Sequence, residues 1–263
     1  METRRPVYMD YHATTPVDPR VLEVMLPYFT KQFGNASSTD NLFGSQAAES
    51  VEKAREQVST LIGAHPEEII FTSGATESDN LAIQGVANAY RDKGRHIISC
   101  TTEHKAVLNS LKYLEGQGWK VTYVPVDEYG IVDLSRLEAS ITDQTVLITV
   151  MFANNEVGTI GPIQEVGNIA KAHGIAFHTD AAQAVGHVPV DVGYMNIDLM
   201  SISSHKVYGP KGAGALFVRS HSGRIKTLPL IYGGGQERGR GGELSASSAL
   251  CRDDADLPMQ VGE

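Results

Sequence analysis

Short apolar segments with the composition of β-strands alternate with amphipathic segments along most of the chain. The apolar segments predict seven strands, near residues 69–72, 96–100, 120–126, 145–152, 176–180, 198–203 and 214–219. Helical periodicity occupies most of the intervals, and the sequence contains no internal repeat, low-complexity run or obvious linker. This alternation is typical of an α/β fold with a mostly parallel sheet and helices on both faces.

Two helices are predicted ahead of the first strand. Asp18 is expected to be the N-cap of a helix that begins at Pro19. The apolar positions of this helix are Leu22, Met25, Leu26 and Phe29. A second helix is predicted near 46–62, where Gly63 is placed to end it. Its apolar face comprises Val51, Ala54, Val58 and Leu61.

The composition argues against several classes of protein. A chain of 263 residues is long enough for one large α/β domain, and two cysteines fit a reducing compartment rather than a disulfide framework. A net charge of -9 with no basic run argues against nucleic-acid binding. No apolar stretch approaches the ~18 residues that span a bilayer, and residues 1–5 are too polar for a signal peptide. We therefore expect a cytoplasmic location and no membrane partner.

Lys206 stands at the end of a predicted strand and directly before a glycine-containing turn, 208–212. In open α/β sheets the carboxyl ends of the strands are where ligands bind. A polar pocket with a cationic neighbour lowers the pKa of a lysine from ~10.4 and exposes its amine as a nucleophile toward a carbonyl. An ordinary surface lysine beside a turn is the alternative. Lys211, after Pro210, is the rival lysine, with a solvated or phosphate-facing role.

Asp180 closes another apolar segment and again lies at the carboxyl end of a predicted strand. A carboxylate in this position can hold a ring nitrogen of a cofactor in its protonated form. The alternative role is an N-cap for the following segment, 181–185. The residue alone does not separate the two roles.

The segment 72–80 lies between a predicted strand and a helix with Ile83, Ala87 and Tyr90 at helical spacing. Backbone N–H groups at such a helix start, with a dipole contribution of ~0.3–1 kcal/mol, can hold a phosphate. Gly74 lets the backbone approach closely. The alternative is an ordinary capped turn, and the lack of a Gly-Lys-Ser/Thr ending disfavours nucleotide hydrolysis.

His104 follows the predicted strand 96–100 at the start of another helix. Its imidazole can stack on a flat ring or move protons near neutral pH, since the unperturbed pKa is ~6.5. Because the chain has nine histidines, a capping or solvated role is the alternative. Together the four strand ends offer a phosphate cup, an imidazole, an acid and an amine. These are the parts that a pyridoxal 5'-phosphate site requires.

Five segments in order resemble the cysteine desulfurases, the pyridoxal-phosphate enzymes that take sulfur from L-cysteine for iron–sulfur cluster assembly. These segments are 8–16, 34–38, 73–80, 154–158 and 203–206. Within the wider class, the run 203–212 is similar to the desulfurases rather than to ordinary aminotransferases. The resemblance extends from about residue 6 to about residue 240. It implies the large domain of the fold type I pyridoxal-phosphate transferases, with the seventh strand antiparallel.

The resemblance also implies a role for each matching residue near the ring. It makes Lys206 the Schiff-base lysine and proton carrier, Asp180 the partner of the pyridinium nitrogen, and His104 the residue stacked on the ring. Gln183 would hydrogen-bond the phenolic oxygen of the cofactor, and Asn155 would lie near it and the substrate carboxylate. A plain polar residue of the next helix remains the alternative for Gln183, and a turn residue for Asn155.

The phosphate of the cofactor has its own implied set of residues. By resemblance, Thr76, Ser203 and His205 bind it with their side chains, and Ala75 adds a backbone N–H. The wider resemblance implies L-cysteine as substrate, an iron–sulfur scaffold or other sulfur-acceptor protein as partner, and a homodimer. No metal site and no nucleic-acid partner are predicted.

Two parts of the family pattern are missing from this sequence. In desulfurases a loop cysteine, well beyond residue 263, attacks the sulfur, and an arginine near the same end grips the substrate carboxylate. We therefore expect a pyridoxal-phosphate-binding large domain at 1–240, with an N-terminal segment at 1–17, and no small domain. Residues 241–263 are expected to be a disordered, frameshifted or otherwise aberrant tail. Cys251 in that tail is a weak substitute nucleophile, and Cys100 is expected to be an inert strand residue.

The function expected by resemblance is that of a cysteine desulfurase. The chain as given is expected to bind the cofactor through Lys206 and to release no sulfide from cysteine. The alternatives are a selenocysteine lyase or an amino-acid transaminase of the same fold, or a non-catalytic remnant that binds the cofactor.

Overall fold

The computed structural model of this chain describes residues 6–221, 223, 225–232 and 237. Its strands are β1 (Ile69–Thr72), β2 (His96–Cys100), β3 (Lys120–Val124), β4 (Thr145–Thr149), β5 (Ala176–Asp180), β6 (Leu199–Ser203) and β7 (Gly214–Val218). They form one sheet in the order β1-β7-β6-β5-β4-β2-β3. Strand β7 is antiparallel to both of its neighbours, and the other pairs are parallel. The predicted mostly parallel sheet and its antiparallel seventh strand are both confirmed.

Helices precede or connect most of these strands. They are α1 (Pro19–Thr30), α2 (Leu42–Ile62), α3 (Ala75–Tyr90), α4 (Lys105–Gly116), α5 (Leu134–Ala139) and α6 (Ile163–Ala172). Two single 3₁₀ turns, Pro66–Glu68 and Ser204–Lys206, flank β1 and β6. Within the described residues, no helix combines the length and the apolar character that crossing a bilayer requires. The predicted tail, 241–263, lies outside the described residues.

Helices cover both faces of the sheet, and each face has its own apolar core. Successive strand residues point to opposite faces, so neighbours in sequence pack against different helices. Ile97 and Leu147 belong to the core under α3 and α4. Ile98 and Ile148 belong to the core under α2, α5 and α6. Each such fully buried side chain contributes ~1.5–3 kcal/mol.

Helix α1 begins where the sequence predicts. The Asp18 carboxylate accepts a hydrogen bond from the Arg20 N–H at 2.8 Å, as an N-cap does. The predicted apolar face is only partly correct, because Val21 and Met25 are buried against Ala213, while Leu22 and other predicted members are exposed. Burial here is set by the contact with the β6–β7 connection, which helical periodicity does not reveal.

Helix α2 begins four residues before its predicted start. The Asn41 side chain accepts a hydrogen bond from the Gly44 N–H at 3.0 Å, which caps the helix earlier than its apolar pattern suggests. Gly63 ends the helix as predicted, with a left-handed φ of 68°. Val51 and Ala54 are buried as predicted, but Leu61 is exposed and Ile62 is buried in its place at the end of the helix.

Strand β4 ends at Thr149, three residues before the predicted end. Val150 and Phe152 still donate to the β5 carbonyls of His178 and Asp180. The Met151 N–H instead donates to the Glu103 carboxylate at 2.6 Å, so a side chain replaces the ladder on the β2 side.

Candidate active site at the carboxyl edge of the sheet

All strands except β7 run in one direction, so their carboxyl ends lie at one edge of the sheet. In open α/β sheets this edge binds ligands. The predicted site residues follow β1, β2, β4, β5 and β6 and therefore share the edge: Ala75, Thr76, His104, Asn155, Asp180, Gln183, Ser203, His205 and Lys206.

The start of α3 is the segment for which the sequence predicts a phosphate cup. Gly74 has a φ of 148°, a conformation that residues with a side chain rarely adopt, and it precedes the first helical residue, Ala75. A Cβ on Gly214 of β7 would lie 2.6 Å from the Gly74 Cα, so the turn rests directly against this strand. Gly214 pairs with Thr72 on one side and with Ser203 on the other. The helix start and Ser203 are therefore adjacent.

The first turn of α3 is also tied to the sheet through a hydroxyl pair. Thr72 Oγ1 and Ser78 Oγ lie 2.8 Å apart, and Ser78 donates to the Ala215 carbonyl at 3.0 Å. These contacts hold the N–H groups of the helix start in place, while Thr76 itself is exposed. A helix start with exposed N–H groups and hydroxyls binds anions.

Asp180 is buried at the end of β5. Its Oδ1 accepts the Ala182 N–H at 3.0 Å, so it caps the segment that follows, which forms turns rather than a helix. Burial raises the pKa of Asp180, whereas the Ala182 N–H and the nearby His104 and Lys206 act to lower it. The capping alternative and a location at the site are therefore both observed.

His104 is the N-cap of α4, and its Nδ1 accepts the Ala106 N–H at 3.1 Å. The ring is otherwise exposed at the edge of the sheet. One His104 ring nitrogen, one Asp180 oxygen and one Asp79 oxygen lie within 4.8 Å of one another. The capping role that the sequence left open is thus real, and it places the ring beside the acid.

Lys206 ends the 3₁₀ turn after β6, and its amine points toward the N-terminal segment. Its Nζ donates to the carbonyl oxygens of His12 and of Ala13, the latter at 3.0 Å. Gln183 Nε2 donates to the same His12 oxygen at 2.8 Å, so the two side chains meet there. Burial lowers the pKa of Lys206, and the charges of Asp180 and Asp10 oppose this shift. Lys211 is exposed, in agreement with a solvated role.

His205 follows β6 and Asn155 follows β4, and β5 lies between these two strands. The His205 ring lies 3.2 Å from the Thr14 hydroxyl, and burial followed by the charges of Lys206 and Lys211 lowers its pKa. Asn155 is half-buried in the turn after β4. Its neighbour Asn154 organises that turn by donating to the Thr102 carbonyl at 3.1 Å.

Sequence patterns missed two buried acids beside the site, Asp79 and Glu103. Asp79 is on the inward face of α3, and Glu103 lies between β2 and α4. Burial raises the pKa of both, and in each case the Asp180 charge adds to the effect. The only sequence signal for Asp79 is that an acid occurs in the first two turns of a helix with an apolar face. This signal does not reveal that Asp180 lies beside it.

The fold and the donor groups at this edge define the large domain of a pyridoxal-phosphate-dependent transferase. The chain belongs to the class-V aminotransferase family, which it matches over residues 7–241. Pyridoxal phosphate is the cofactor of this family.

Curated relatives narrow the comparison. The chain is 56% identical over 240 residues to the cysteine desulfurase IscS of Rickettsia massiliae, and the match covers 91% of this chain and 58% of that protein. It is 54% identical over 248 residues to a probable mitochondrial cysteine desulfurase of Dictyostelium discoideum, covering 94% and 55%. The chain thus spans about half the length of the curated relatives that it matches.

Solved structures of similar proteins also match this chain. A structure described as SspA in complex with cysteine has a TM-score of 0.89 and 44% identity, covering 93% of this chain and 70% of the other. A NifS-like protein has a TM-score of 0.89 and 42% identity, covering 94% and 67%.

The residues at this edge fit the cofactor of the family. They combine an amine, a carboxylate, an imidazole and a glycine-lined helix start, the chemical groups that a phosphorylated pyridine aldehyde requires. A Cβ built on Gly74 would meet nothing within 4 Å, so the space beside this turn is open. Among the described residues, buried oxygens of Asp79 and Thr179 also lack a protein partner near the end of β5.

Proposed function

We propose that this chain is the cofactor-binding large domain of a cysteine desulfurase, which converts L-cysteine to L-alanine and passes the sulfur to a cysteine thiol. The observation that carries the proposal is the meeting of Lys206, Gln183, Asp180 and His104 at one edge, beside the α3 helix start. The relatives named cysteine desulfurase support the choice of reaction.

The residues of the site divide the binding of pyridoxal phosphate among them. Lys206 would hold its aldehyde carbon, Asp180 its ring nitrogen, and Gln183 its phenolic oxygen. The phosphate would lie against the N–H of Ala75 and the side chains of Thr76, Ser203 and His205. When bound, the cofactor supplies an electron sink for the carbon that loses a proton.

Lys206 then serves as the proton carrier. Because burial lowers its pKa, a larger fraction of the amine is neutral near pH 7 than for a free lysine. His104 is held by the N-cap bond from Ala106, which fixes the plane of its ring beside Asp180. A fixed ring can cover one face of a flat cofactor. Asn155, in the turn after β4, would face the substrate carboxylate.

The sulfur acceptor is a cysteine outside the described residues. Cys100 is the only cysteine in the described part of the chain, and burial raises its pKa to about 12. Its thiolate is therefore scarce at neutral pH, and the thiolate is the nucleophile. Cys251 lies outside the described residues.

We further propose a homodimer in a reducing compartment such as the cytoplasm, with an iron–sulfur scaffold or another sulfur-acceptor protein as partner. Exposed apolar side chains on and near α1 support a covered surface there. They include Leu22, Leu26, Phe29 and the stacked pair Phe33 and Phe43. Exposed apolar patches of this kind mark interaction surfaces.

Titration of the purified chain with pyridoxal phosphate tests the proposal. We expect an absorbance band of the bound cofactor in the visible range and its loss in K206A. K211A is the matched control, because Lys211 is an exposed lysine of the same turn and should leave the band unchanged. A band that persists in K206A, or none in the unaltered chain, contradicts the proposal.

The reaction class is tested by incubating the loaded protein with L-cysteine, L-selenocysteine and L-alanine. A spectral change with L-cysteine and no sulfide release is the expected result for this chain. Preference for selenocysteine would favour a lyase, and transfer of the amino group to a keto acid would favour a transaminase. Sulfide release that disappears in C251A would assign the acceptor role to Cys251.

A further inference from the structure

A group of metal-ligating side chains lies at the edge of the sheet opposite the cofactor site. His65 and Glu67 flank Pro66 in the connection that enters β1, and His221 follows the end of β7. Because β1 and β7 are antiparallel neighbours, with Ile69 paired to Phe217, these connections are adjacent. The two segments are distant in sequence, so no local motif predicts the group.

The three side chains are close enough to share one ion. His221 Nε2 lies 2.8 Å from Glu67 Oε1, and one ligand atom from each of the three residues lies within 4.8 Å of the others. The rings of His65 and His221 have centroids 4.2 Å apart and planes tilted by 35°. Rings placed side by side in this way can direct one nitrogen each toward a common point.

A buried carboxylate holds both connections in register. Glu68 is 3% exposed and accepts the N–H groups of His65 at 3.1 Å, Ser220 at 2.7 Å and His221 at 2.9 Å. Both histidine backbones are thus fixed by the same side chain.

We propose that His65, Glu67 and His221 bind one divalent cation of the zinc class. Two imidazole nitrogens and one carboxylate oxygen are a common protein ligand set for Zn²⁺, at about 2.0–2.2 Å each, with water in the fourth position. The exposed fractions of His221 and Glu67, 48% and 46%, leave that position open to solvent. Binding replaces the proton between His221 and Glu67 with the metal and joins the entry of β1 to the exit of β7.

Zinc titration of the tag-free protein, read by competition with a chromophoric chelator, tests this site. We expect one Zn²⁺ to bind, and H65A and H221A to bind it at least about tenfold more weakly, since each removes one ligand. H173A is the matched control, because His173 forms a similar exposed pair with Glu138 at 3.3 Å and belongs to no described three-ligand group. Ca²⁺, which requires more oxygen ligands, should not compete.

Two results would overturn the metal site. One is equal zinc affinity in the unaltered protein, H65A and H221A. The other is no zinc binding by the unaltered protein at micromolar concentration. A rise in the unfolding temperature with Zn²⁺ that is present in H173A and absent in H65A would support it.

A second inference concerns Asp79, which lies under the proposed cofactor site. Asp79 is fully buried in the first turns of α3. One of its oxygens lies within 4.8 Å of an Asp180 oxygen and a His104 ring nitrogen. No close hydrogen bond reaches either Asp79 oxygen among the described residues, and the Ser201 hydroxyl is the one donor near enough to act on this buried carboxyl group.

The buried histidine that faces Asp79 does not offer it a positive charge. His178 Nε2 lies 3.6 Å from Asp79 Oδ1, but burial lowers the pKa of His178 to about 3, so the ring is neutral. The ring nitrogens of His178 are held by Thr149 at 2.8 Å and Ser201 at 3.0 Å. The remaining titratable neighbours are the acids Asp180 and Glu103 and the exposed His104 ring, one nitrogen of which lies within 4.8 Å of an Asp79 oxygen.

Two adjacent buried carboxyl groups cannot both ionise, so one of the pair keeps a proton. Asp180 is the more readily ionised of the two acids, because the Ala182 N–H and the nearby His104 and Lys206 act to lower its pKa. Neither the Ala182 N–H nor Lys206 acts on Asp79, and burial followed by the Asp180 charge raises its pKa well above the usual range, against a smaller opposing effect of a hydrogen bond from the Ser201 hydroxyl. Asp79 is therefore the protonated member.

We infer that Asp79 is a positioning residue for Asp180: its carboxylic O–H is directed at the Asp180 carboxylate, directly or through one water, and keeps that carboxylate oriented toward the cofactor ring. The inference rests on the proposed function, since it assigns Asp180 to the ring nitrogen. A neutral buried acid that donates a hydrogen bond is an established way to stabilise a nearby negative charge.

Cofactor titrations of D79N and D79L test this role. The side-chain amide introduced in D79N retains an N–H donor, so this variant should bind pyridoxal phosphate within about threefold of the unaltered chain, whereas D79L should bind about tenfold or more weakly. The pH dependence of the bound cofactor's absorbance should match the unaltered chain in D79N and shift in D79L. Equal binding and equal spectra in all three proteins, or equal losses in both variants, would overturn the inference.

A second measurement remains informative if D79L does not fold. Between pH 5 and 8, cofactor-free unaltered protein should lose stability as pH rises, because its folded state keeps the Asp79 proton that the unfolded state has lost. D79N should lose less stability over this range. Identical pH slopes would contradict a protonated Asp79. If the unaltered chain binds no cofactor, the proposed function is wrong. The pH dependence of stability in the unaltered protein and in D79N still shows whether Asp79 is protonated.

Discussion

The thiol of Cys100 lies 3.1 Å from Oε1 of Glu103, and the Glu103 oxygen also accepts the Met151 N–H. Burial raises the pKa of Glu103 to about 8 and that of Cys100 to about 12. Both groups are therefore protonated at neutral pH. We therefore expect this pair to keep Cys100 from acting as a nucleophile.

Cys100 should resist alkylation in the folded protein. In C251A, where it is the only cysteine, a shift of the thiol pKa from 9.0 to about 12 lowers the thiolate fraction by about a thousandfold at pH 8. Iodoacetamide labelling followed by mass spectrometry measures the rate, and labelling in denaturant is the control. Labelling of the folded protein at the rate of an unfolded peptide would contradict the buried pair.

Glu103 should make the protein less stable as pH rises. Its pKa is 4.5 in the unfolded chain and about 8 in the folded one, so the unfolded state alone loses the proton between these values. Stability therefore falls from about pH 4.5 to about pH 8, by about 1.4 kcal/mol per pH unit for this group. E103Q should remove that part of the slope in urea unfolding at several pH values. If the free energy of unfolding changes with pH in the same way in E103Q and in the unaltered protein, Glu103 does not have the raised pKa.

Arg55 and Glu237 form a buried ion pair that ties α2 to a residue beyond the sheet. Arg55 Nη1 lies 2.8 Å from Glu237, whose carboxylate also accepts the Phe71 N–H at 2.9 Å, and both side chains are 6% exposed. R55A leaves the Glu237 charge buried, so we expect a loss of about 3–5 kcal/mol in the free energy of unfolding.

A double-mutant cycle with E237Q isolates the pair interaction. The double variant should be less destabilised than the sum of the single variants, because no charge is left unpaired in that background. Additive losses would mean that the two side chains do not interact.

Gly214 should tolerate no side chain. A Cβ there would lie 2.6 Å from both the Gly74 Cα and the Ile202 carbonyl, so G214A must push the α3 helix start away from β7. We expect a loss of about 1–3 kcal/mol in stability and weaker cofactor binding. G116A is the control, since a Cβ at Gly116 meets nothing within 4 Å. If G214A folds and binds the cofactor with unchanged affinity, the contact between Gly214 and Gly74 is not needed for phosphate binding.

Asp180 should be needed for the cofactor, whereas a similar acid elsewhere should not. D180N removes the charge that faces the ring nitrogen, and we expect about tenfold or more weaker pyridoxal-phosphate binding. D198N is the matched control, because Asp198 is a half-buried acid whose pKa is also raised by burial but which lies at the opposite end of β6. Equal effects of the two substitutions on cofactor affinity would argue against the proposed role of Asp180.

The helix boundaries illustrate what local patterns predict well. Asp18 and Gly63 are end signals that depend on a few adjacent residues, and both act as predicted. The end of β4 does not follow its apolar run, because the Glu103 side chain takes the Met151 N–H. That bond joins residues 48 apart in the chain, and no window of sequence contains both its partners.

The same distinction holds at the site. The alternation of apolar and amphipathic segments determined seven strands and placed Lys206, Asp180 and His104 at strand ends, because such patterns depend on backbone geometry within one element. Only the tertiary structure decided that Asp79 lies beside Asp180 and that His65 meets His221. Which of two acids keeps its proton, and which side chains share an ion, depends on distances of a few ångströms between residues that are far apart in sequence. Those distances are set by the packing of helices on the sheet.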